Sequence, residues 1–199
     1  MKAVPLSRYL LYFTLAILGG LLDLTTKHVV FDWLGMPGER PVWWLIDGVV
    51  GFQTSLNEGA LFGFGQGMAI IFSLLSIAAA VAILVWLFGC GAARDRLLTT
   101  ALGLITAGIL GNLYDRLGMH RLVWNYANRL HEVGEPVHAV RDWILVMIGS
   151  WPWPTFNLAD SMLVCGAALL VWHAFRSEQA DPSSSAAAPT VGETAAGKP

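Results

Sequence analysis

Asn157 and Asp160 stand 3 residues apart in Phe156-Asn157-Leu158-Ala159-Asp160, at the head of a run apolar enough to cross a membrane. That spacing is close to one helical turn, so the amide and the carboxylate share a face. The same Asn-x-x-Asp pattern recurs as Asn112 and Asp115, followed by Arg116, at the foot of an earlier apolar run. A third acid, Asp23, precedes Lys27 by 4 residues, the order that favours an ion pair on a helix. A charged side chain at membrane depth costs roughly 2.5–3.5 kcal/mol on insertion scales, so each acid needs a partner or a task. Asp23 has Lys27 and reads as a structural pair, Asp115 has Arg116 beside it, and Asp160 has no basic residue near it in sequence. Two carboxylates close together in low dielectric share a proton, so one can act as base and the other as acid without a cofactor. The symmetry of the two Asn-x-x-Asp units nominates Asp115 as the partner of Asp160.

Positioning these groups falls to membrane helices. Apolar residues make up 55% of the chain and charged ones 13%, with a mean hydropathy of +0.58, which fits an integral membrane protein rather than a soluble domain. The net charge of −2 argues against a nucleic-acid partner. Apolar segments at about 8–30, 67–90, 97–117 and 155–175 are each near the roughly 20 residues a spanning helix needs. The first is too long for a secretory signal and lacks a small-residue cleavage site, so it reads as a retained span. Four spans put both termini on one side. Basic residues divide evenly between the two sides, and the short loop from Gly89 to Arg96, with Arg94 and Arg96, assigns the termini to the cytoplasm. Spans three and four, being antiparallel, then bring Asn112, Asp115, Asn157 and Asp160 to one outer level, together with Asp23, Lys27 and Asn57.

Between the first two spans, the Trp- and β-branched-rich stretch 42–54 predicts short strands at the membrane interface. The glycine-dense stretch 56–67 that follows predicts a bent re-entry rather than a dinucleotide loop, which would need a βαβ unit. In the long connection 118–154, Leu122, Tyr126, Leu130 and Val133 recur at helical period and predict an amphipathic helix lying at the interface as a cover over the cleft. The expected fold is an all-α membrane protein: four transmembrane helices with a small extracytoplasmic β-rich segment and an interfacial helix. Residues 1–176 form one domain with extracytoplasmic segments 31–66 and 118–154, and 177–199 has the composition of a disordered cytoplasmic tail. His131-Glu132-Val133-Gly134-Glu135 opens like a zinc-protease motif but lacks its second His, and no Gly-x-Ser-x-Gly nucleophile elbow occurs. Cys90 and Cys165 lie in or at the end of apolar runs and imply no disulfide framework. No metal is expected.

Asp23-x-x-x-Lys27, Asn57-x-Gly59-Ala60-x-Phe62-Gly63, Gly111-Asn112-Leu113-x-Asp115-Arg116, Val140-Arg141-Asp142-Trp143 and Phe156-Asn157-x-Ala159-Asp160-Ser161 resemble, in order, the signature blocks of the lipoprotein signal peptidases, or signal peptidase II. The resemblance covers about residues 8–176. It implies an aspartyl intramembrane protease of the bacterial cytoplasmic (inner) membrane, without a cofactor. Such an enzyme cuts the signal peptide from prolipoproteins before a diacylglyceryl-modified cysteine, at the extracytoplasmic face. The partners implied are that substrate and membrane lipid, and a monomer is expected. The family's first catalytic acid lies in a Val-x-Asp-Phe block, which corresponds here to Val140-Arg141-Asp142-Trp143. The resemblance therefore makes Asp142 and Asp160 the catalytic pair. It makes Asn57, Asn112, Arg116 and Asn157 substrate-binding and site-ordering residues, and leaves Asp23, Lys27 and Asp115 as structural ones. Trp143 replaces the usual Phe and 118–139 is longer than the usual link, so Asp115 stays as the alternative first acid.

Intramembrane acids also mark ion pathways, which makes a small transporter or proton-relay protein the competing class. Against it stand the lack of internal repeats and the clustering of the acids at one level. Topology has a direct check. A cysteine placed in the Arg94–Arg96 loop should resist a membrane-impermeant thiol reagent in intact cells, and one placed near Gly134 should be labelled; the reverse pattern would invert the assignment.

Overall fold

The computed structural model describes residues 3–59 and 65–180. Among them are four helices long and apolar enough to cross a membrane, and a small antiparallel sheet. The first, α1 (Leu6–Leu34), has 29 residues, about 43 Å at ~1.5 Å per residue and well beyond the ~30 Å hydrocarbon layer. Its surplus end carries Val30, Phe31 and Leu34 out to pack against Trp143 of the sheet.

α2 (Ala69–Leu84) ends in a π turn at Val85–Gly89, and α3 (Arg96–Arg116) starts almost at once. Asp95 caps α3 by accepting from the Leu98 N–H at 2.9 Å. Its other oxygen meets His173 Nε2 at 2.9 Å and so ties in the far end of α4 (Leu158–Ala180). In the most apolar stretch of α3, 61% of residues are buried, against 11% in those of α2 and α4. α3 is thus the central helix, while the others present Ile70, Leu74, Val164 and Phe175 outward, as a surface against lipid requires.

Lipid tails are as apolar as leucine, so helices in a membrane associate through close packing rather than by leaving water. Small residues on α3 and α4 supply that fit. A Cβ on Gly108 would collide with the Ala159 carbonyl oxygen, and one on Gly166 would lie 2.7 Å from the Ala101 carbonyl oxygen. Gly111 lies as tightly against the Asp23 carboxylate of α1.

The sheet runs in the order β1 (Trp43–Ile46), β2 (Val50–Asn57), β3 (Val140–Ile148) and β4 (Trp151–Phe156). β1 and β2 fulfil the expectation for 42–54. The all-α description, however, does not hold, because β3 and β4 lie where no strand was expected. Residues 140–148 are rich in β-branched and apolar side chains but covered on both faces at their start, where Arg141 and Asp142 are buried as well, so the period-2 alternation that betrays a strand is missing. Gly149-Ser150, with Gly149 at φ 64°, makes a two-residue hairpin turn into β4. Pro152 and Pro154 are tolerated there because β4 is an edge.

The interfacial helix is also absent: Leu122 to Val133 is not helical. Instead the chain folds back on itself, with Trp124 N–H donating to the Glu135 carbonyl at 2.9 Å and Val137 N–H to the Leu122 carbonyl at 3.0 Å. Asn128 Oδ1 accepts from the Leu130 and His131 N–H groups, and Gly134 adopts φ 91°. These turn formers outweigh four apolar residues at helical spacing. The buried anchor is Trp124, 1% exposed, while Leu130 and Val133, on the supposed apolar face, are 54% and 66% exposed. Residues 60–64 of the glycine-dense stretch and 181–199 of the tail lie outside the described residues.

Because Gly108 faces backbone, Gly108→Ala should cost about 1–3 kcal/mol through overpacking. Gly20→Ala, whose Cβ would find its nearest neighbours at 3.8 and 3.9 Å, should be close to neutral. Thermal midpoints of the two purified variants in one detergent check this, and equal midpoints would refute the close seam.

Candidate active site

β3 alternates its side chains across the sheet, and that alternation decides the chemistry. Asp142 turns into a cleft of about 670 Å³ between the sheet and helices α3 and α4. Arg141, one residue earlier, points the other way, with its guanidinium 5.9 Å from the centre of the Phe31 ring. There its Nη2 and Nε donate to Asp115 Oδ1 at 2.8 and 3.0 Å, and its backbone N–H donates to Asp115 Oδ2 at 3.0 Å.

Asp115 is therefore consumed. It is fully buried, and Lys27 Nζ lies 3.2 Å from its Oδ2, the oxygen that also accepts the Arg141 N–H. Arg116, its neighbour in sequence, is not its partner. Arg116 lines the cleft and donates from Nη2 to the Gly59 carbonyl at 3.1 Å. Sequence reasoning missed Arg141 as the counter-ion of Asp115. The two lie 26 residues apart, and no local spacing links them.

Lys27 also meets Asp23 at 2.7 Å, and Asp23 accepts the Ala159 N–H at 2.9 Å. The third contact of the Lys27 ammonium is with Asn112 Oδ1 at 2.9 Å. An ammonium has three donors and no acceptor, so the Asn112 amide must turn its oxygen toward Lys27 and its NH2 away. That NH2 donates to Asp160 Oδ1 at 2.8 Å. Asp23, Lys27 and Asp115 thus form a buried charge cluster behind the cleft, and Lys27 orients an amide inside it.

Asn157 sits between the carboxylates at the junction of β4 and α4. Its Nδ2 donates to Asp142 Oδ1 at 2.6 Å and to Asn112 Oδ1 at 3.2 Å. Its Oδ1 accepts the Asp160 N–H at 2.9 Å, and its backbone N–H lies 3.3 Å from Asp160 Oδ2. Asn57 at the end of β2 lies diagonally across the ladder from Asp142, since Asn57 pairs with Val140 and Ser55 with Asp142. Its side chain hydrogen-bonds Asp142 as well. Asn57, Asn112, Arg116, Asp142 and Asp160 all line the one cleft, whose walls are apolar: Trp153, Pro154, Phe156, Leu163 and Val164 among them.

Burial, and then the neighbouring charge of Asp160, push the Asp142 carboxyl up to about 8. Lys27, Asn157 and Asn57 oppose that rise without cancelling it. Asp142 can thus hold a proton at neutral pH. Two carboxylates in one cleft, one of them protonated, with amides on both and a guanidinium opposite, can supply a base and an acid to a bound amide. No cluster of three or more His, Cys, Asp or Glu that could hold a metal ion occurs among the described residues.

The profile of the family described as signal peptidase (SPase) II matches residues 15–176. A lipoprotein signal peptidase from Rhodopirellula baltica is 48% identical over 174 residues, which cover 87% of this chain and 75% of the relative. Another, from Polynucleobacter necessarius, is 33% identical over 180 residues, covering 88% and 94% respectively. A solved bacterial membrane enzyme shares the fold with a TM-score of 0.67 at 22% identity, over 90% of this chain and 94% of that one. With the profile spanning most of the chain and close relatives along nearly all of it, this multi-pass membrane protein belongs to the signal peptidase II family of proteases.

Proposed function

We propose that the chain is an intramembrane aspartic endopeptidase that removes the signal peptide from lipid-modified prolipoproteins, cutting just before the diacylglyceryl-cysteine. The observation that carries the aspartic mechanism is that Asp142 and Asp160 line one cleft and are both engaged by Asn157. Relatives named lipoprotein signal peptidases supply the substrate class.

In this reading Asp142 holds the shared proton and Asp160 is ionised. Asp160 takes a proton from water, and the resulting hydroxide bonds to the scissile carbonyl carbon while Asp142 gives its proton to the carbonyl oxygen. The tetrahedral intermediate then collapses. The carbon–nitrogen bond breaks, the leaving nitrogen takes the proton held by Asp160, and the carbonyl re-forms as its proton returns to Asp142. Arg116 and Asn112 bind the substrate backbone and offset negative charge, and the apolar walls receive the lipid chains. The low dielectric of the apolar walls strengthens each of these contacts.

Asp142→Asn and Asp160→Asn should each lower cleavage of a lipid-modified preprolipoprotein by at least about a thousandfold, read as a gel shift with purified protein. Asp115→Asn should mainly lower the thermal midpoint, since it strips Arg141 and Lys27 of a buried partner. A folded but dead Asp115→Asn beside an active Asp142→Asn would make the symmetric pair the right one. In the parent, kcat/KM should fall above about pH 8 as Asp142 loses its proton.

Stability responds to the same group. A carboxyl that titrates near 8 in the fold and near ~4 in the unfolded chain binds more proton when folded between those values, so stability falls as pH rises through them. Asp142→Asn escapes that penalty. Its thermal midpoint should exceed the parent's by a margin that widens from pH 5 to pH 8, and a constant margin would refute the raised carboxyl.

A further inference from the structure

The fold-back at 118–139 supplies none of the groups assigned to the chemistry, yet it reaches the turn that carries one of them. His131 stacks on the buried Trp124 ring, with centroids 4.7 Å apart and planes 9° from parallel. Its Nε2 lies 2.8 Å from Glu58 Oε2, and its Nδ1 lies 3.4 Å from Glu135 Oε2. A carboxylate offers only acceptors, so Nε2 donates. Glu58, itself 7% exposed, sits between Asn57, which hydrogen-bonds Asp142, and Gly59, whose carbonyl accepts from Arg116. Asn57 Oδ1 accepts the Gly59 N–H at 3.0 Å, which leaves its NH2 for Asp142. Three consecutive residues are thus pinned in turn by Asp142, His131 and Arg116. The middle pin comes from a segment that the dyad does not otherwise need.

We propose that His131 is a positioning residue for the reaction: through Glu58 it fixes the Asn57–Gly59 turn so that the Asn57 amide stays on Asp142. The proposal rests on the dyad reading above. Other groups facing this contact are Tyr126, whose phenol is raised first by burial and then by the charge of Glu58, and Arg116 and His138, which line the same chamber of about 450 Å³. Asp142 for its part is faced by Asp160 from α4, Lys27 from α1, Arg116 from α3, and the amides of Asn157 and Asn57. Loss of the Asn57 donor removes a bond to the ionised form of Asp142, so the carboxyl rises further.

His131→Phe keeps a flat ring on Trp124 and deletes both nitrogens, whereas His131→Gln keeps a donor for Glu58 and gives up the stack. With the full-length protein in detergent and a lipid-modified preprolipoprotein as substrate, His131→Phe should lower kcat/KM about tenfold. It should also move the alkaline limb of the pH–rate profile up by about half a pH unit. His131→Gln should recover most of both. Asn57→Ala should shift the limb in the same direction, and adding His131→Phe to it should bring little further loss, as expected of residues acting in series. If His131→Phe does not fold, Glu58→Ala carries the same expectation. A variant with a lowered thermal midpoint but an unmoved limb, or losses that simply multiply in the double variant, would overturn the proposal. Failure of the dyad itself would show separately, as an active Asp142→Asn.

Discussion

One ammonium with three donors constrains this molecule. Lys27 has no access to water, so each of its protons must find an acceptor within the protein. Asp23, Asp115 and Asn112 provide them, one from the same helix and two from α3. The consequences run outward in order. Asp115 is left to Arg141, which fixes the face that β3 turns to the cleft. Asn112 is left with its NH2 free for Asp160. Asp23 keeps one oxygen for the Ala159 N–H and so holds the start of α4, where Asp160 begins. Removing one member of such a buried set costs about 3–5 kcal/mol, because the others are stranded without solvent. The geometry of the cleft is therefore set by charges that never enter it.

The helix seam serves the same end by steric means. Asp23 can reach the first turn of α4 only because Gly111 brings α3 against it, and Gly108 admits the Ala159 carbonyl from the next helix. Three helices converge where their backbones are barest. A larger residue on this seam would separate Asn112 from Asp160 before it disturbed either side chain directly.

Much of this was legible in the residues. Hydropathy located the four spans, since about 20 apolar residues have few other uses. The Asp23–Lys27 pair followed from i, i+4 spacing, and Trp43 to Thr54 showed the β-branched and aromatic bias of strands. What escaped was non-local. Asp115 and Asp160 sit in matching Asn-x-x-Asp units, and no spacing rule reveals that Arg141, 26 residues further on, neutralises the first of them. The strand that carries Asp142 hid because both its faces are covered, which erases alternation. Leu122 to Val133 misled for the opposite reason: its apolar residues fall at helical period, but Asn128, Gly134 and a single tryptophan decide its path.

The sheet has two blunt margins. β1 offers only 4 residues, and β4 carries Pro152 and Pro154, which lack the N–H groups a neighbouring strand would pair with. Another polypeptide therefore cannot readily extend the ladder from either side, which protects an apolar sheet from edge-to-edge aggregation. The same bluntness bears on recognition. A chain entering the cleft meets the broad face of β2 and β3 and the rim of β4, so it is read by shape and by apolar fit rather than by a register of main-chain bonds. Such reading tolerates many sequences so long as their bulk fits the apolar walls.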